Sequence, residues 1–287
     1  IGASVSRSLI ARGDNVIGID NLNDYYQVSL KQNRIAALNA EFGDAFTFRK
    51  VDFSDNAALL AALEAENFDR IVHLGAQAGV RYSIENPHAY IQANLVGHCN
   101  MLELARHRGA EHMVYASPSS VYGGNTNLPF SVDERVDHPL SLYAATKKAS
   151  EAMAHSYAHL YDLPITMFRF FTVYGPWGRP DMAPYLFTSA IMAGKPIKVF
   201  NHGDMKRDFT FVVDLVRAVR LLIDAVPERP LDGIVPEGDS LSPVAPWRIV
   251  NVGNGESVPL MDFIGAIERA SNHIAQKQML PMQSGDV

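Results

Sequence analysis

Short apolar runs alternate with amphipathic helical stretches along the first 171 residues, and this alternation constrains the fold more than any other feature. The runs Asn15-Val-Ile-Gly-Ile-Asp20, Phe46–Val51, Arg70–Gly75, His112–Ala116 and Ile165–Phe171 predict strands, and the stretches near 28–41, 55–65, 87–108 and 142–161 predict helices between them. A strand–helix–strand rhythm of this kind builds a parallel sheet with helices on both faces, and it places ligands at the carboxyl ends of the strands. The opening residues read as a helix with the apolar stripe Ala3, Val5, Leu9, Ile10 and Ala11, stopped by Arg12-Gly13-Asp14. In a dinucleotide-binding sheet, a central strand and a Gly-rich turn precede that helix. Only Gly2 stands for such a turn here, so the expectation is an α/β, Rossmann-like doubly wound sheet whose first strand is missing, in a chain clipped at both ends.

From Thr172 onward glycine and proline become frequent, as in Gly175-Pro-Trp-Gly-Arg-Pro180, and the elements shorten. This predicts a first domain over 1–171 and a smaller α/β substrate-binding lobe over 172–287, interleaved with the first. Helices near 183–193, 212–225 and 260–274 and strands at Ile197–Phe200 and Arg248–Val252 fall in the second part, and the five prolines of Pro227–Pro246 predict a surface loop.

Twenty-five basic against 31 acidic residues give a formal charge of −6, with no basic run, which argues against nucleic acid as a partner. No apolar stretch is long enough for a bilayer. The single cysteine, Cys99, expected buried in its helix, and the lack of a signal peptide point to a reducing cytoplasm. His155 and His159 share a helix face but have no third ligand, which reads as a helix surface rather than a metal site.

Chemistry concentrates in Ser141-Leu-Tyr143-Ala-Ala-Thr-Lys147-Lys148. With Ser141 as N-cap, Tyr143 and Lys147 are four residues apart on one face. An ammonium beside a phenol lowers its pKa from about 10 toward neutrality and makes a general base for a sugar hydroxyl. Chance alone yields about 0.6 such Tyr-x-x-x-Lys pairs in this composition, so the context matters. Upstream, Val114-Tyr-Ala-Ser-Pro-Ser-Ser-Val-Tyr-Gly-Gly124 places a hydroxyl-rich turn at a strand's carboxyl end.

Five segments carry a family resemblance along most of the chain: Gly18-Ile-Asp-Asn-Leu-Asn-Asp-Tyr-Tyr26, His73-Leu-Gly-Ala-Gln-Ala-Gly-Val-Arg-Tyr-Ser83, Tyr143-x-x-x-Lys147, Arg169-Phe-Phe-Thr-Val-Tyr-Gly-Pro176 and Gly203-Asp-Met-Lys-Arg-Asp-Phe-Thr-Phe211. The chain resembles the extended short-chain dehydrogenases/reductases of the NAD-dependent epimerase/dehydratase family, and UDP-glucuronate 4-epimerases in particular. The resemblance implies NAD as cofactor, a UDP-sugar as substrate, a homodimer through helices 87–108 and 142–161, and a place in polysaccharide biosynthesis. It implies that Tyr143 and Lys147 are catalytic; the strand-turn hydroxyl of the family falls at Pro118, and Ser117, Ser119 or Ser120 are the residues that would substitute for it. For NAD it implies Gly2 in the turn at the pyrophosphate, Asp20 at the adenosine ribose with Asn21 beside it, Asp52 and Phe53 flanking the adenine, Ala76 and Gln77 on the nicotinamide side, Asn94 in support, and Tyr143 and Lys147 again. For the substrate it implies Arg81, Thr172, Arg179 and Arg207.

Related dehydratases carry an Asp-Glu pair where Ser119 and Ser120 stand, and decarboxylases a glutamate at Ser120. Their absence favours oxidation and re-reduction at C4. The family's strand-turn Ser or Thr corresponds to Pro118, and one of its paired aspartates to Val213. Those two positions support an alternative, a catalytically silent member that binds NAD or a nucleotide sugar as sensor or structural partner. A UDP-glucose 4-epimerase, or a related decarboxylase or dehydratase, is the third reading.

Overall fold

The structure is a computed structural model and describes residues 1–282. The last five residues of the 172–287 lobe lie outside the described residues. In the first half α1 (Gly2–Ala11), β1 (Val16–Asp20), α2 (Val28–Phe42), β2 (Phe46–Lys50), α3 (Asn56–Ala62) and β3 (Arg70–His73) follow one another, then the single turns α4 (Tyr82–Glu85) and α5 (Pro87–Tyr90). A π-helical stretch, Ile91–Gly97, runs into α6 (His98–Arg108), so the predicted helix 87–108 is not uniformly α. Next come β4 (His112–Pro118), a 3₁₀ turn (Ser119–Tyr122), α7 (Leu142–Tyr161) and β5 (Ile165–Phe170).

The remainder is built from shorter pieces: β6 (Thr172–Tyr174), α8 (Ala183–Met192), β7 (Ile197–Val199), β8 (Lys206–Arg207), β9 (Phe209–Phe211), α9 (Val212–Asp224), β10 (Trp247–Val252), β11 (Val258–Pro259), α10 (Leu260–Ser271) and β12 (Lys277–Met279). Among the described residues no helix is long and apolar enough to cross a membrane.

The strands form one parallel sheet in the order β10-β5-β4-β3, a separate parallel pair β1-β2, and small pairs, β6-β9 and β7-β12 parallel and β8-β11 antiparallel. Every residue of β4 is buried, as a central parallel strand covered on both faces requires. Two layers of core cover the sheet, one centred on Leu59, Leu102, Met113, Ile165 and Met167, the other on Val114, Phe168, Leu215 and Val219. The second layer draws on residues from both sides of position 172. Helix α9 buries Val212, Leu215, Val216, Val219 and Ile223 at helical spacing against Val5, Val114 and Phe168, and β10 pairs in full register with β5. Both elements therefore return to the main sheet, whose outer strand and open face they complete. The small lobe keeps α8, β7, α10 and β12, packed through Ile191, Ile197, Val199 and Ile264.

Side chains on α7 hold the proline-rich segment. His155 Nε2 lies 2.9 Å from Ser242 Oγ and His159 Nδ1 lies 2.8 Å from the Val244 carbonyl. Cys99 is half-buried rather than buried, its Sγ 3.8 Å from Tyr157 Oη.

Strands β1 and β3 are not hydrogen-bonded to each other. A cavity of about 1460 Å³ runs between them, lined by all of β1 and β3, by Ala116 and Pro118 of β4, and by Tyr143 and Lys147 of α7.

Candidate active site

Helix α7 begins where Ser141, in extended conformation, accepts a hydrogen bond from the Ala144 amide at 3.1 Å. That cap sets the phase of the helix, and Tyr143 and Lys147 come to line the cavity on one face. Both are nearly inaccessible, at 7% and 2% exposure. Burial pushes the Tyr143 phenol up to about 12, and Arg179 opposes the shift. Burial pulls the Lys147 ammonium down to about 7, with Glu151 opposing. The Lys147 ammonium is hydrogen-bonded within the wall: its Nζ donates to the hydroxyl of Tyr115 and lies 4.0 Å from that ring's centroid. The cation whose field lowers Tyr143 is Arg179.

Behind this pair the wall is tied in two places. Asn94, in the π-helical stretch, accepts from the Gln77 amide (2.8 Å) and donates to the Gln77 carbonyl (3.0 Å) and Thr146 Oγ1 (3.1 Å). The loop after β3 is thus locked to α7, although Asn94 itself does not line the cavity. Glu151, four residues beyond Lys147, accepts from Ser117 Oγ (2.7 Å) and from Arg169 Nε (3.0 Å) and Nη2 (2.8 Å), all three residues being buried. A bidentate, charge-assisted pair in this setting fixes β4, β5 and α7 in one geometry. It also removes Ser117 as a hydroxyl for the cavity.

The opposite wall comes from the carboxyl ends of β1 and β2. Asp20 Oδ1 accepts from the Leu22 amide (2.7 Å), and Asp52 accepts from Asn21 Nδ2 (2.8 Å), the Ser54 amide (2.9 Å) and Ser54 Oγ (2.7 Å). Burial works against the Asp52 carboxylate, but Asn21 and Ser54 outweigh it and hold its pKa below the usual range. Phe53 sits between two glycines: a Cβ at Gly75 would lie 2.8 Å from its ring and one at Gly97 2.4 Å, so only glycine admits the ring at both places. Across the mouth, Arg34 donates to the Trp177 carbonyl (2.5 Å), Tyr25 donates to Asp181 (3.3 Å), and Arg179 pairs with the same carboxylate. These contacts tie the segment of Trp177 and Asp181 to Arg34 of α2 and to Tyr25 of the β1–α2 loop.

Of the residues singled out from the sequence, Gly2, Asp20, Asn21, Asp52, Phe53, Ala76, Gln77, Tyr143, Lys147 and Arg179 line this one cavity. Ser119, Ser120, Asn94, Arg81, Thr172 and Arg207 do not. At the carboxyl end of β4 the lining residue is Pro118, and Ser119 and Ser120 stand half-buried on the following 3₁₀ turn. Arg81 lies over the Phe200 ring at 5.1 Å, Arg207 is paired opposite Val258, and Thr172 opposite Phe209. Sequence reasoning missed Glu151, whose i, i+4 spacing from Lys147 was the available signal. It also missed Tyr115, which no local spacing connects to α7.

A profile of the NAD dependent epimerase/dehydratase family matches residues 1–233. The chain belongs to this family. A family member from Rhizobium meliloti, named "Probable UDP-glucuronate 4-epimerase", is 50% identical over 289 residues, covering all of this chain and 84% of that protein. UDP-glucuronate 4-epimerase 2 of Arabidopsis thaliana is 44% identical over 292 residues, covering 100% of this chain and 65% of that protein. Among solved structures, the UDP-glucuronic acid 4-epimerase of Bacillus cereus, in complex with UDP-glucuronic acid and NAD, superposes with a TM-score of 0.84 at 29% identity, over 100% of this chain and 84% of that one.

Proposed function

We propose that the protein is a UDP-glucuronate 4-epimerase that interconverts UDP-glucuronate and UDP-galacturonate with NAD in the cavity. The observation that carries this reading is the convergence of Tyr143 and Lys147 of α7 with the carboxylate-rimmed ends of β1 and β2 in one cavity, beside a β4 turn that brings no carboxylate to the reacting end. The residues present fit the cofactor. Asp20 offers an acceptor for a ribose diol, the Phe53 ring between Gly75 and Gly97 offers a flat apolar face, and Gln77 is held in place by Asn94. Gly2, Asn21, Asp52, Ala76 and Lys147 complete the cofactor side of the cavity. When bound, NAD accepts the C4 hydride and returns it.

Tyr143 takes the proton of the C4 hydroxyl as the hydride leaves, and gives it back when the hydride returns to the other face of the turned 4-keto sugar. As pH rises through its pKa of about 7, Lys147 loses its proton, and the charge it offers the phenolate falls with it. Arg179, the cation nearest Tyr143 in effect, both favours the phenolate and suits a uronate carboxylate. An elimination would need an additional acid at the sugar, and the buried Glu151 is committed to Arg169 and Ser117. A decarboxylase or dehydratase reading is therefore less well supported.

We further propose a homodimer through the outer faces of α6 and α7 and the π-helical stretch, where Ile91, Val96, Leu160 and Tyr161 are exposed, with cytoplasmic residence and a role in polysaccharide biosynthesis. Incubation with UDP-glucuronate and chromatographic resolution of the nucleotide sugars tests the reaction. UDP-galacturonate is the expected product, and its absence together with turnover of a different UDP-sugar overturns the substrate assignment.

A further inference from the structure

Lys147 is 2% exposed, and in this structure its ammonium is held by Tyr115 of β4 rather than by Tyr143 of its own helix. Tyr115 is itself 1% exposed and is held in a stack of rings: His98 lies 4.1 Å from it at 23°, His73 5.0 Å from it at 21°, and the two imidazoles are nearly parallel. His73 Nε2 and both ring nitrogens of His98 are buried without hydrogen-bond partners. Burial holds both imidazoles well below their usual pKa, so they are neutral walls. Burial also pushes the Tyr115 phenol up, which keeps it a neutral hydroxyl able to accept from an ammonium. Glu151 attracts Lys147 through space, but its two oxygens are engaged by Arg169 and Ser117.

We propose that Tyr115 is a positioning residue for the reaction at Tyr143: its hydroxyl is the fixed oxygen that keeps the buried Lys147 protonated and anchored in the cavity wall. The proposal rests on the epimerase reading for its kinetic consequence, though not for its NMR test. Tyr143 and Lys147 line the cavity from one face of α7, and a protonated Lys147 favours the Tyr143 phenolate by its charge, which a neutral amine does not. An oxygen that favours the protonated lysine therefore raises the fraction of competent enzyme. The titratable and charged groups around Lys147 are His73 from β3, His98 from α6, Tyr115 from β4, and Tyr143 and Glu151 from α7. Arg169 of β5 lies beyond Glu151 and Arg179 beyond Tyr143.

Tyr115→Phe keeps the ring and its stacking and removes only the oxygen. With lysine labelled at Cε and Lys147 assigned through Lys147→Met, NMR titration of the variant is expected to place the Lys147 midpoint about one pH unit below that of the wild type. In the same protein kcat on the pH plateau is expected to fall about tenfold with KM for UDP-glucuronate little changed, and the alkaline fall of the profile, where Lys147 loses its proton, to move down with the lysine. A second measurement needs no Tyr115 variant. In the wild type the Tyr115 Cζ resonance should follow the Lys147 midpoint, and in Lys147→Met it should not titrate there. An unchanged Lys147 midpoint in Tyr115→Phe, or a Tyr115 resonance indifferent to Lys147, overturns the proposal. Lack of epimerisation by the wild type instead overturns the epimerase reading and leaves both NMR outcomes decisive for Tyr115.

Discussion

On one wall of the cavity β4, β5, α7, the loop after β3 and the π-helical stretch hold polar groups through long-range partners: Ser117 to Glu151, Glu151 to Arg169, Gln77 to Asn94, Lys147 to Tyr115. On the other, at the ends of β1 and β2, Asp20 and Asp52 are held chiefly by neighbours two residues away, Asn21 bridging to Asp52 as the longer link. The first wall is buried and over-determined, as the placement of a base within hydrogen-bond reach of a reacting hydroxyl demands. The second is part-exposed and shaped by turn geometry, which suffices to present carboxylates to a diol. Accuracy is built where a proton moves, and accessibility where a ligand is gripped.

Substitutions separate the two walls, and the largest effect is expected at the base. Tyr143→Phe should reduce epimerisation by about 10³-fold while NAD, measured by release on denaturation, stays bound. Retained turnover would remove Tyr143 from its role. Next, Glu151→Ala leaves Arg169 buried without its carboxylate and should cost about 3–5 kcal/mol in urea unfolding; a loss below about 1 kcal/mol would show that the buried pair does not organise this wall. Asp20→Ala, at an exposed position, should weaken NAD binding about tenfold by calorimetry and leave the unfolding midpoint nearly unchanged. An equal loss of stability would mean that the two walls are not built differently after all. The smallest effect is expected for Pro118→Ser, which adds a hydroxyl to the cavity wall and should raise kcat less than about tenfold in a steady-state assay.

Periodicity made the strands and helices readable because each element buries a face against the sheet, and the predicted runs lie within a few residues of β1 to β5, α2, α3 and α7. Tyr143 and Lys147 were readable together because four residues return a helix to the same face. The return of α9 and β10 to the main sheet was not, since their apolar patterns state that a face is buried and not against what. The partner of Lys147 was hidden for the same reason: Tyr115 stands 32 positions earlier on a strand whose every residue is buried, so no local pattern marks it. The position of Pro118 in the wall was legible only through the family resemblance, because which residue of a turn lines a cavity depends on the angle at which β4 ends.

The central claim is that one cavity oxidises and re-reduces C4 of a uronate without releasing the hydride. UDP-glucuronate carrying deuterium at C4 tests it in a single mass-spectrometric measurement of the product. The account expects UDP-galacturonate with the deuterium retained at C4; loss of the label to solvent, or a product unchanged at C4, would contradict it.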